Sequence, residues 1–345
     1  MEFDQPPRKI VYYPIPGDPK GGALFIYGDE KAKNMALMSA GFPDDQKPFI
    51  PFASRLAKET DTLVGLICLP GFDDRADKPW TDHKRDKKDG YSFDEMATCF
   101  REAAKALRSE SSSPTKPKFT GIFHDWGVNP GAMWANRAIA DGSENAPNEL
   151  VYFDVLMPPH PSTPDMPPAD GKISIRQLLV NHYYQFVLGL AFGIQRYVAN
   201  IFAIIGLIFG MIPLMVPIGI SPTGKIDDDT RKVLGFPDIS HSIYMCYTYS
   251  NAIYRGEGYK KLLTHQLDED YTLPQDLSKV PVLYMYGTDK SANFHLEQPL
   301  KVLQREHDEK RSKSKVVAVD GAGHYLYLQK PDLCFDCVTE FMNED

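Results

Sequence analysis

The chain has 345 residues, of which 43% are hydrophobic and 24% are charged, and this balance excludes an intrinsically disordered protein. Its net charge of −8, without a long basic run, excludes a nucleic-acid-binding protein that relies on a positive surface. The five cysteines are scattered and odd in number, and the first residues lack an apolar signal segment, so a cytoplasmic protein without a disulfide framework is expected.

Short apolar runs alternate with amphipathic runs through the first 160 residues. A helix is predicted from Ser92, because Glu95 stands at capping-box spacing and apolar residues follow at helical intervals. Strands separated by helices predict an α/β fold, with a mostly parallel sheet flanked by helices. The predicted strands lie in KIVYYPI, GALFIYGDE, NMALMSAG, TLVGLICLPG, PKFTGIFHD and ELVYFDVLMPP.

The alternation of strands and helices stops near Pro158, at a proline-rich break, and resumes with VPVLYMYGTD. A helical, tyrosine-rich region lies between these two points. The sequence therefore predicts a core in two parts, residues 1–158 and 271–345, with residues 159–270 inserted as a helical cap. Motifs for a metal or an organic cofactor are missing, so none is expected.

The string GIFHDWG, residues 121–127, has the outline of a nucleophile elbow. In such an elbow a strand runs through a tight turn into a helix and exposes the turn residue above the sheet. Asp125 occupies the turn where many hydrolases carry serine. The alternative interpretation is that Asp125 is only the N-cap of the following helix.

Two further polar residues each follow a predicted strand. Asp289 stands in YGTD and His324 stands in GAGH. The chain order Asp125, Asp289, His324 is the order of nucleophile, acid and base in hydrolases of this architecture. The order favours a catalytic triad over three unrelated structural residues.

These motifs resemble the α/β-hydrolase fold and, within it, the epoxide hydrolases with an aspartate nucleophile. AGFPDD, residues 40–45, is similar to the H-G-x-P turn of that family, and HDWG is similar to its nucleophile motif. The resemblance implies that the backbone N–H groups of Phe42 and Trp126 form an oxyanion hole. Two departures are Ala40, where the family has histidine, and Phe123, where a small residue is more usual.

A carboxylate nucleophile suits an sp³ carbon that bears a leaving group, and its attack gives an alkyl ester of the enzyme. A histidine can then activate water to cleave that ester. An epoxide also needs a proton donor, and the resemblance implies two cap tyrosines, Tyr184 in NHYYQFV and Tyr254 in SNAIYRG. Tyr183 and Tyr247 are the alternatives, and the other cap tyrosines, Tyr249 among them, are expected to pack in the core. The expected substrate is an apolar, lipid-derived epoxide.

Two other functions stay open. A haloalkane or haloacid dehalogenase would use the same Asp125, although the 160–270 segment contains no Trp to bind halide. A non-catalytic protein could use the same fold to dock on membranes or partners, and Ala40 and Phe123 favour that alternative.

Residues 197–220 form an apolar stretch without a charged residue, and residues 185–194 are apolar too. A true membrane span would put the two core halves on opposite sides of the bilayer. The 185–220 region is therefore interpreted as a lid that contacts a membrane surface, with burial or a tunnel wall as alternatives. The oligomeric state is left open.

Overall fold

The computed structural model describes residues 6–75, 87–167, 183–215, 224, 226–234, 239–254, 270–290 and 295–344. Its strands are β1 (Lys9–Ile15), β2 (Asp18–Tyr27), β3 (Asn34–Ser39), β4 (Thr62–Ile67), β5 (Lys118–His124), β6 (Glu149–Phe153), β7 (Val282–Gly287) and β8 (Lys315–Val319). They form one sheet in the order β1-β2-β4-β3-β5-β6-β7-β8. The β1–β2 and β2–β4 pairs are antiparallel and the remaining pairs are parallel.

Helices cover both faces of the sheet and form the segment between β6 and β7. They are α1 (Ile50–Glu59), α2 (Phe93–Ser109), α3 (Val128–Ala140), α4 (Tyr184–Tyr197), α5 (Asn200–Met215), α6 (Asp228–Leu234), α7 (Ile239–Met245), α8 (Tyr247–Tyr254), α9 (Glu297–Asp308), α10 (Leu326–Gln329) and α11 (Pro331–Asn343). The helix predicted from Ser92 is α2, and its capping box with Glu95 is formed. The predicted α/β architecture is confirmed.

The core consists of two apolar layers, one on each face of the sheet. Leu37 and Phe123 point into the layer beneath α2 and α3, whereas their neighbours Met38 and Ile122 point into the layer beneath α1 and α11. Because successive side chains of a strand alternate between faces, both faces of β3 and β5 are apolar. The central strands are therefore held rigidly, and their carboxyl ends are well-defined positions for a site.

The helical segment is inserted between two neighbouring strands. Phe153, the last residue of β6, pairs with Met285 of β7 although the cap helices separate them in the chain. Tyr247 of α8 donates a hydrogen bond of 2.9 Å to the carbonyl of Pro70, which follows β4. This contact joins α8 to the end of the core where the parallel strands finish. The bounds 1–158, 159–270 and 271–345 stay a prediction.

The helices α4 and α5 form an antiparallel pair. Ala191 of α4 and Ala203 of α5 are buried together with Ile243 of α7. The side of this pair that faces away from the core exposes large apolar residues, which we call the apolar cap face: Phe186, Leu190, Tyr197, Val198, Ile201, Phe202, Ile205, Ile208 and Phe209. None of the described helices has the length and apolarity needed to cross a bilayer, and residues 216–220 of the apolar stretch lie outside the described part.

Candidate active site

Asp125 lies at the turn between β5 and α3, with its backbone in the left-handed region at φ +50°. A residue with a Cβ atom is strained there by roughly 1–3 kcal/mol, and such strain is common at active sites. Gly127 allows the turn to approach β3, since a Cβ atom at this position would lie 2.7 Å from the Ala40 carbonyl oxygen. The turn therefore presents the Asp125 carboxylate at the carboxyl end of the sheet.

The bulky ring of Phe123 is accommodated because two of the residues that pack against it are glycines. A Cβ atom on Gly131 would lie 2.5 Å from the Phe123 ring, and one on Gly121 would lie 2.8 Å from it. The turn therefore forms with a large residue two positions before Asp125 and with two glycines beside that residue.

Two backbone N–H groups donate to the Asp125 carboxylate. The N–H of Phe42 lies 2.8 Å from Oδ2, and the N–H of Trp126 also donates to this carboxylate. Gly41 is required beside them, because a Cβ atom there would lie 2.4 Å from the Trp126 nitrogen. The loop after β3 thus presents Phe42 to Asp125 although Ala40 stands where the resembled family has histidine.

His324 lies in the loop after β8 and is buried beside Asp125. Its Nε2 atom is 3.9 Å from Asp125 Oδ1, a separation that one water molecule can bridge. Burial disfavours the charged imidazole, but the carboxylates of Asp154 and Asp125 outweigh it and raise the pKa of His324. Burial raises the pKa of Asp125 as well, against the opposing effects of His324 and the two N–H donors.

The carboxylate that contacts His324 is that of Asp154, and not that of Asp289, which the sequence predicts at this position. Asp154 Oδ2 lies 2.5 Å from His324 Nδ1, whereas the Asp289 residue is exposed and its backbone N–H donates to the Ala322 carbonyl. Asp154 directly follows β6 and Asp289 follows β7, and these strands are neighbours. A carboxylate that follows either of these two adjacent strands can therefore reach this position, and here it is the residue after β6 that contacts His324.

The side chain of Lys290 is buried against the other oxygen of Asp154. Its ammonium group forms an ion pair with Oδ1, and neither side chain is exposed. Burial alone would raise the pKa of Asp154, but the charges and hydrogen bonds of Lys290 and His324 lower it to about 2. Asp154 is therefore ionised at any pH at which the protein is expected to work.

The cap brings two tyrosines to the site, and one of them differs from the predicted pair. Tyr184 and Tyr249 are buried, with ring centroids 6.1 Å apart. Tyr249 stands edge-on to the Trp126 ring, with ring centroids 4.9 Å apart. Burial, then Tyr184, then Asp125 raise the pKa of Tyr249 well above its ordinary value, so its hydroxyl stays protonated.

Tyr254 does not join this pair. Its side chain is turned outward, 45% exposed, and its hydroxyl donates to the Phe186 carbonyl at 3.1 Å. Arg255, which follows it in the resembled motif, lies outside the described residues. Of the two alternatives, Tyr247 donates to the Pro70 carbonyl, and Tyr183 is the residue before α4.

A surface depression lies away from Asp125, His324 and Asp154. Its volume is about 430 Å³, and it lies beside Gly28, at the edge where the parallel strands begin. Arg8 and Glu30 in its wall form an exposed ion pair. The candidate active site is therefore the group at the opposite edge, where Asp125, His324 and Asp154 converge.

No protein-family model and no curated protein matches the sequence. Solved structures do match almost the whole chain. Epoxide hydrolases from metagenomes of hot environments are 18% identical, with a TM-score of 0.57 and coverage of 98% of this chain and 99% of theirs. The epoxide hydrolase of Bacillus megaterium is 15% identical, with a TM-score of 0.54 and coverage of 97% and 100%.

A haloalkane dehalogenase variant from Bradyrhizobium elkanii is 13% identical, with a TM-score of 0.56 and coverage of 96% of this chain and 95% of that one. These identities are too low to transfer a reaction, because one fold carries many activities. The chain therefore has the α/β-hydrolase fold, and its structural neighbours include epoxide hydrolases.

Proposed function

We propose that the protein is a hydrolase that opens an apolar epoxide to a vicinal diol through an ester of Asp125. One observation carries the proposal. Oδ2 of Asp125 accepts the Phe42 N–H at 2.8 Å, while Oδ1 faces Nε2 of His324 at 3.9 Å. One carboxylate oxygen thus accepts a backbone N–H of the kind that forms an oxyanion hole, and the other lies toward His324.

In the first step an oxygen of Asp125 attacks an epoxide carbon. The carbon–oxygen bond of the ring breaks, and its electron pair goes to the epoxide oxygen. Tyr184 and Tyr249 are the proposed proton donors to that oxygen, because Tyr249 is buried near enough to Asp125 for their charges to interact and Tyr184 is buried beside Tyr249. Removing one such donor typically slows a reaction by about 10²–10³-fold.

In the second step His324 takes a proton from a water molecule, which attacks the carbonyl carbon of the ester. The negative charge then develops on the carbonyl oxygen of Asp125. The N–H groups of Phe42 and Trp126 stabilise it, because they already donate to this carboxylate. Asp154 holds the imidazole with Nε2 toward the water and stabilises the imidazolium that forms.

The intermediate collapses as the bond between the carbonyl carbon and the substrate oxygen breaks, and that oxygen takes the proton from His324 and leaves as the diol. The proton left on the Asp125 carboxyl group returns to the tyrosinate formed in the first step.

Dehalogenation is the second candidate reaction, since the same nucleophile can displace a halide. A departing halide is an anion that wants N–H donors, whereas an epoxide oxygen needs a proton. Tyr249 is buried edge-on to the Trp126 ring, with ring centroids 4.9 Å apart, so a phenol lies beside the indole that follows Asp125. This arrangement supports epoxide opening over dehalogenation as the reaction.

The apolar cap face supports an apolar, lipid-derived substrate. Tyr184 is on the inner side of α4, whereas Phe186 and Leu190 are exposed on the same helix. We propose that this face contacts a lipid bilayer, so that one helix joins the bilayer surface to the site. Sedimentation with phosphatidylcholine vesicles tests the contact.

In that assay the double change Phe202→Ser and Phe209→Ser should weaken vesicle binding at least about tenfold, since burying one Phe side chain contributes roughly 1.5–3 kcal/mol. Ile10→Ser is a matched control, because Ile10 is exposed on β1. Equal vesicle binding by the wild type and the double variant would show that the apolar cap face does not contact lipid.

Trapping the ester tests the reaction itself. His324→Gln should let Asp125 become alkylated and then stall, because hydrolysis needs the base more than alkylation does. Intact-mass spectrometry after incubation with a long-chain terminal epoxide should show the added substrate mass, located by proteolysis on the peptide that contains Asp125. Adducts from a haloalkane but not from the epoxide would favour the dehalogenase, and no adduct from either would favour a non-catalytic protein.

A further inference from the structure

We propose that Lys290 is a positioning residue, whose buried ammonium group holds Asp154 against His324 and offsets part of the negative charge around the imidazole. The inference rests on the proposed role of His324 as the base. It concerns a residue that does not touch the substrate and acts only through Asp154 and His324.

The geometry places one carboxylate between two partners. Oδ1 of Asp154 is ion-paired with Lys290, and Oδ2 is 2.5 Å from Nδ1 of His324. Both the Lys290 and the Asp154 side chains are fully buried. An unpaired charge at such a depth is strongly unfavourable. The Lys290 ammonium group therefore depends on Asp154, whereas Asp154 keeps a second partner in His324 when Lys290 is replaced.

The position of Lys290 follows from the sheet. β6 and β7 are parallel neighbours, and the residues after their last positions meet at one edge. Asp289 is exposed while the Lys290 side chain is buried. The β7 end therefore contributes a cation to the site rather than an acid.

The backbone of Asp154 is fixed from the same side. Its φ is +70°, which is strained for a residue with a Cβ atom. The Met285 carbonyl accepts its N–H at 2.8 Å, and the Tyr284 hydroxyl donates to its carbonyl at 3.2 Å. His295 Nδ1 lies 2.7 Å from that hydroxyl. The carboxylate thus extends from a fixed backbone, and Lys290 determines where its outer oxygen rests.

Burial and three neighbouring charges determine how readily the imidazole of His324 takes a proton. Burial opposes the imidazolium, Asp154 and Asp125 favour it, and Lys290 disfavours it. With Lys290 present, one positive charge offsets part of the effect of two negative ones. Without Lys290 the imidazole would hold its proton to higher pH.

The other titratable groups that face His324 are largely uncharged near neutral pH. In the loop after β3, burial raises the pKa of Asp44 to about 8, although the charge of His324 opposes this. On β5, burial and then His324 lower the pKa of His124 well below its ordinary value. Burial raises the pKa of the neighbouring Tyr325 well above its ordinary value. Lys290 is therefore the main positive charge that opposes the imidazolium among the described residues.

The test is the pH dependence of ester hydrolysis in single turnovers. Lys290→Met should move the midpoint of the rate profile upward by about one pH unit, a typical perturbation for histidine in a folded protein. The loss of rate should be about tenfold below the midpoint and should disappear at high pH. A merely structural role would lower the rate at every pH and leave the midpoint unchanged.

Two further variants keep the inference falsifiable. Lys290→Gln should give the same upward shift if the Met variant does not fold, and Lys290→Arg should restore the wild-type midpoint. Lys279→Met is the matched control, because Lys279 is 79% exposed and paired with Asp276 at the surface.

An unchanged midpoint in a folded neutral variant would overturn the role of Lys290 while leaving the proposed function intact. If the wild type forms no ester at all, both proposals fail together.

Discussion

The core and the cap place their functional residues in different ways. In the core, Asp125 and Asp154 directly follow neighbouring buried strands, and His324 lies in the loop after another strand. In the cap, Tyr184 and Tyr249 reach the same site through the packing of helices α4 and α8. Strand ends define positions to within a residue or two, whereas a helix presents a different side chain for each small rotation. The core site can thus be inferred from motifs, and the cap site requires the packed structure.

The largest expected effect lies at the nucleophile. Asp125→Asn should lower diol formation by about 10⁴-fold or more, as the loss of a nucleophile does in other hydrolases, because an amide is a poor nucleophile. Chromatographic measurement of the diol checks this. Circular dichroism should show an intact fold, and mass spectrometry should exclude deamidation to Asp. Full activity of a verified Asn variant would contradict the mechanism.

The next effect distinguishes the two strand ends that could supply the acid. Asp154→Asn should lower kcat by roughly 10³–10⁴-fold, since the imidazole loses its orienting carboxylate. Asp289→Asn, at an exposed position, should change kcat by less than about twofold. Steady-state kinetics of the two variants measures the difference. The opposite ranking would restore Asp289 as the acid.

A smaller effect is expected at the cap tyrosines. Tyr184→Phe and Tyr249→Phe should each slow alkylation by roughly 10–10²-fold, somewhat less than a sole oxyanion donor would, because two donors share one oxygen. Tyr254→Phe should be near wild type, since its hydroxyl contacts the Phe186 carbonyl. Single-turnover kinetics separates alkylation from ester hydrolysis. A slow Tyr254 variant with a normal Tyr249 variant would reverse the assignment.

The smallest effect concerns the stability of the cap. Phe209→Ser should change the free energy of unfolding by less than about 0.5 kcal/mol, because Phe209 is 70% exposed. Phe192→Ala, at a buried position of α4, should cost about 3–5 kcal/mol. Urea unfolding measures both. Similar losses in the two variants would mean that Phe209 is covered in solution.

Much of the core site is predictable from the sequence. Asp125 and His324 are predicted from their places after strands and the Phe42 loop from its resemblance to the H-G-x-P turn, and the structure brings the three together. The sequence does not single out Asp154, because the predicted strand ELVYFDVLMPP continues past it, whereas β6 ends at Phe153. The chain order of nucleophile, acid and base is satisfied by Asp154 and by Asp289, so order alone cannot choose between adjacent strand ends.

The cap and the buried charge were less predictable for physical reasons. The helix α8 carries three tyrosines in YTYSNAIY, and only its rotation decides that Tyr249 faces Trp126 while Tyr254 faces outward. Lys290 gives no sequence signal of burial, because lysine is ordinarily a surface residue. Its role becomes visible only when Asp154 is placed beside it.

The central claim is that Asp125 forms an ester with the substrate, and a single turnover in H₂¹⁸O tests it most directly. If water attacks the ester carbonyl, the first diol released carries an unlabelled oxygen from Asp125, and the ¹⁸O appears in the carboxylate of the Asp125 peptide. Mass spectrometry of the diol and of that peptide measures both. A labelled diol with an unlabelled Asp125 would show that water attacks the epoxide directly, and would contradict the account.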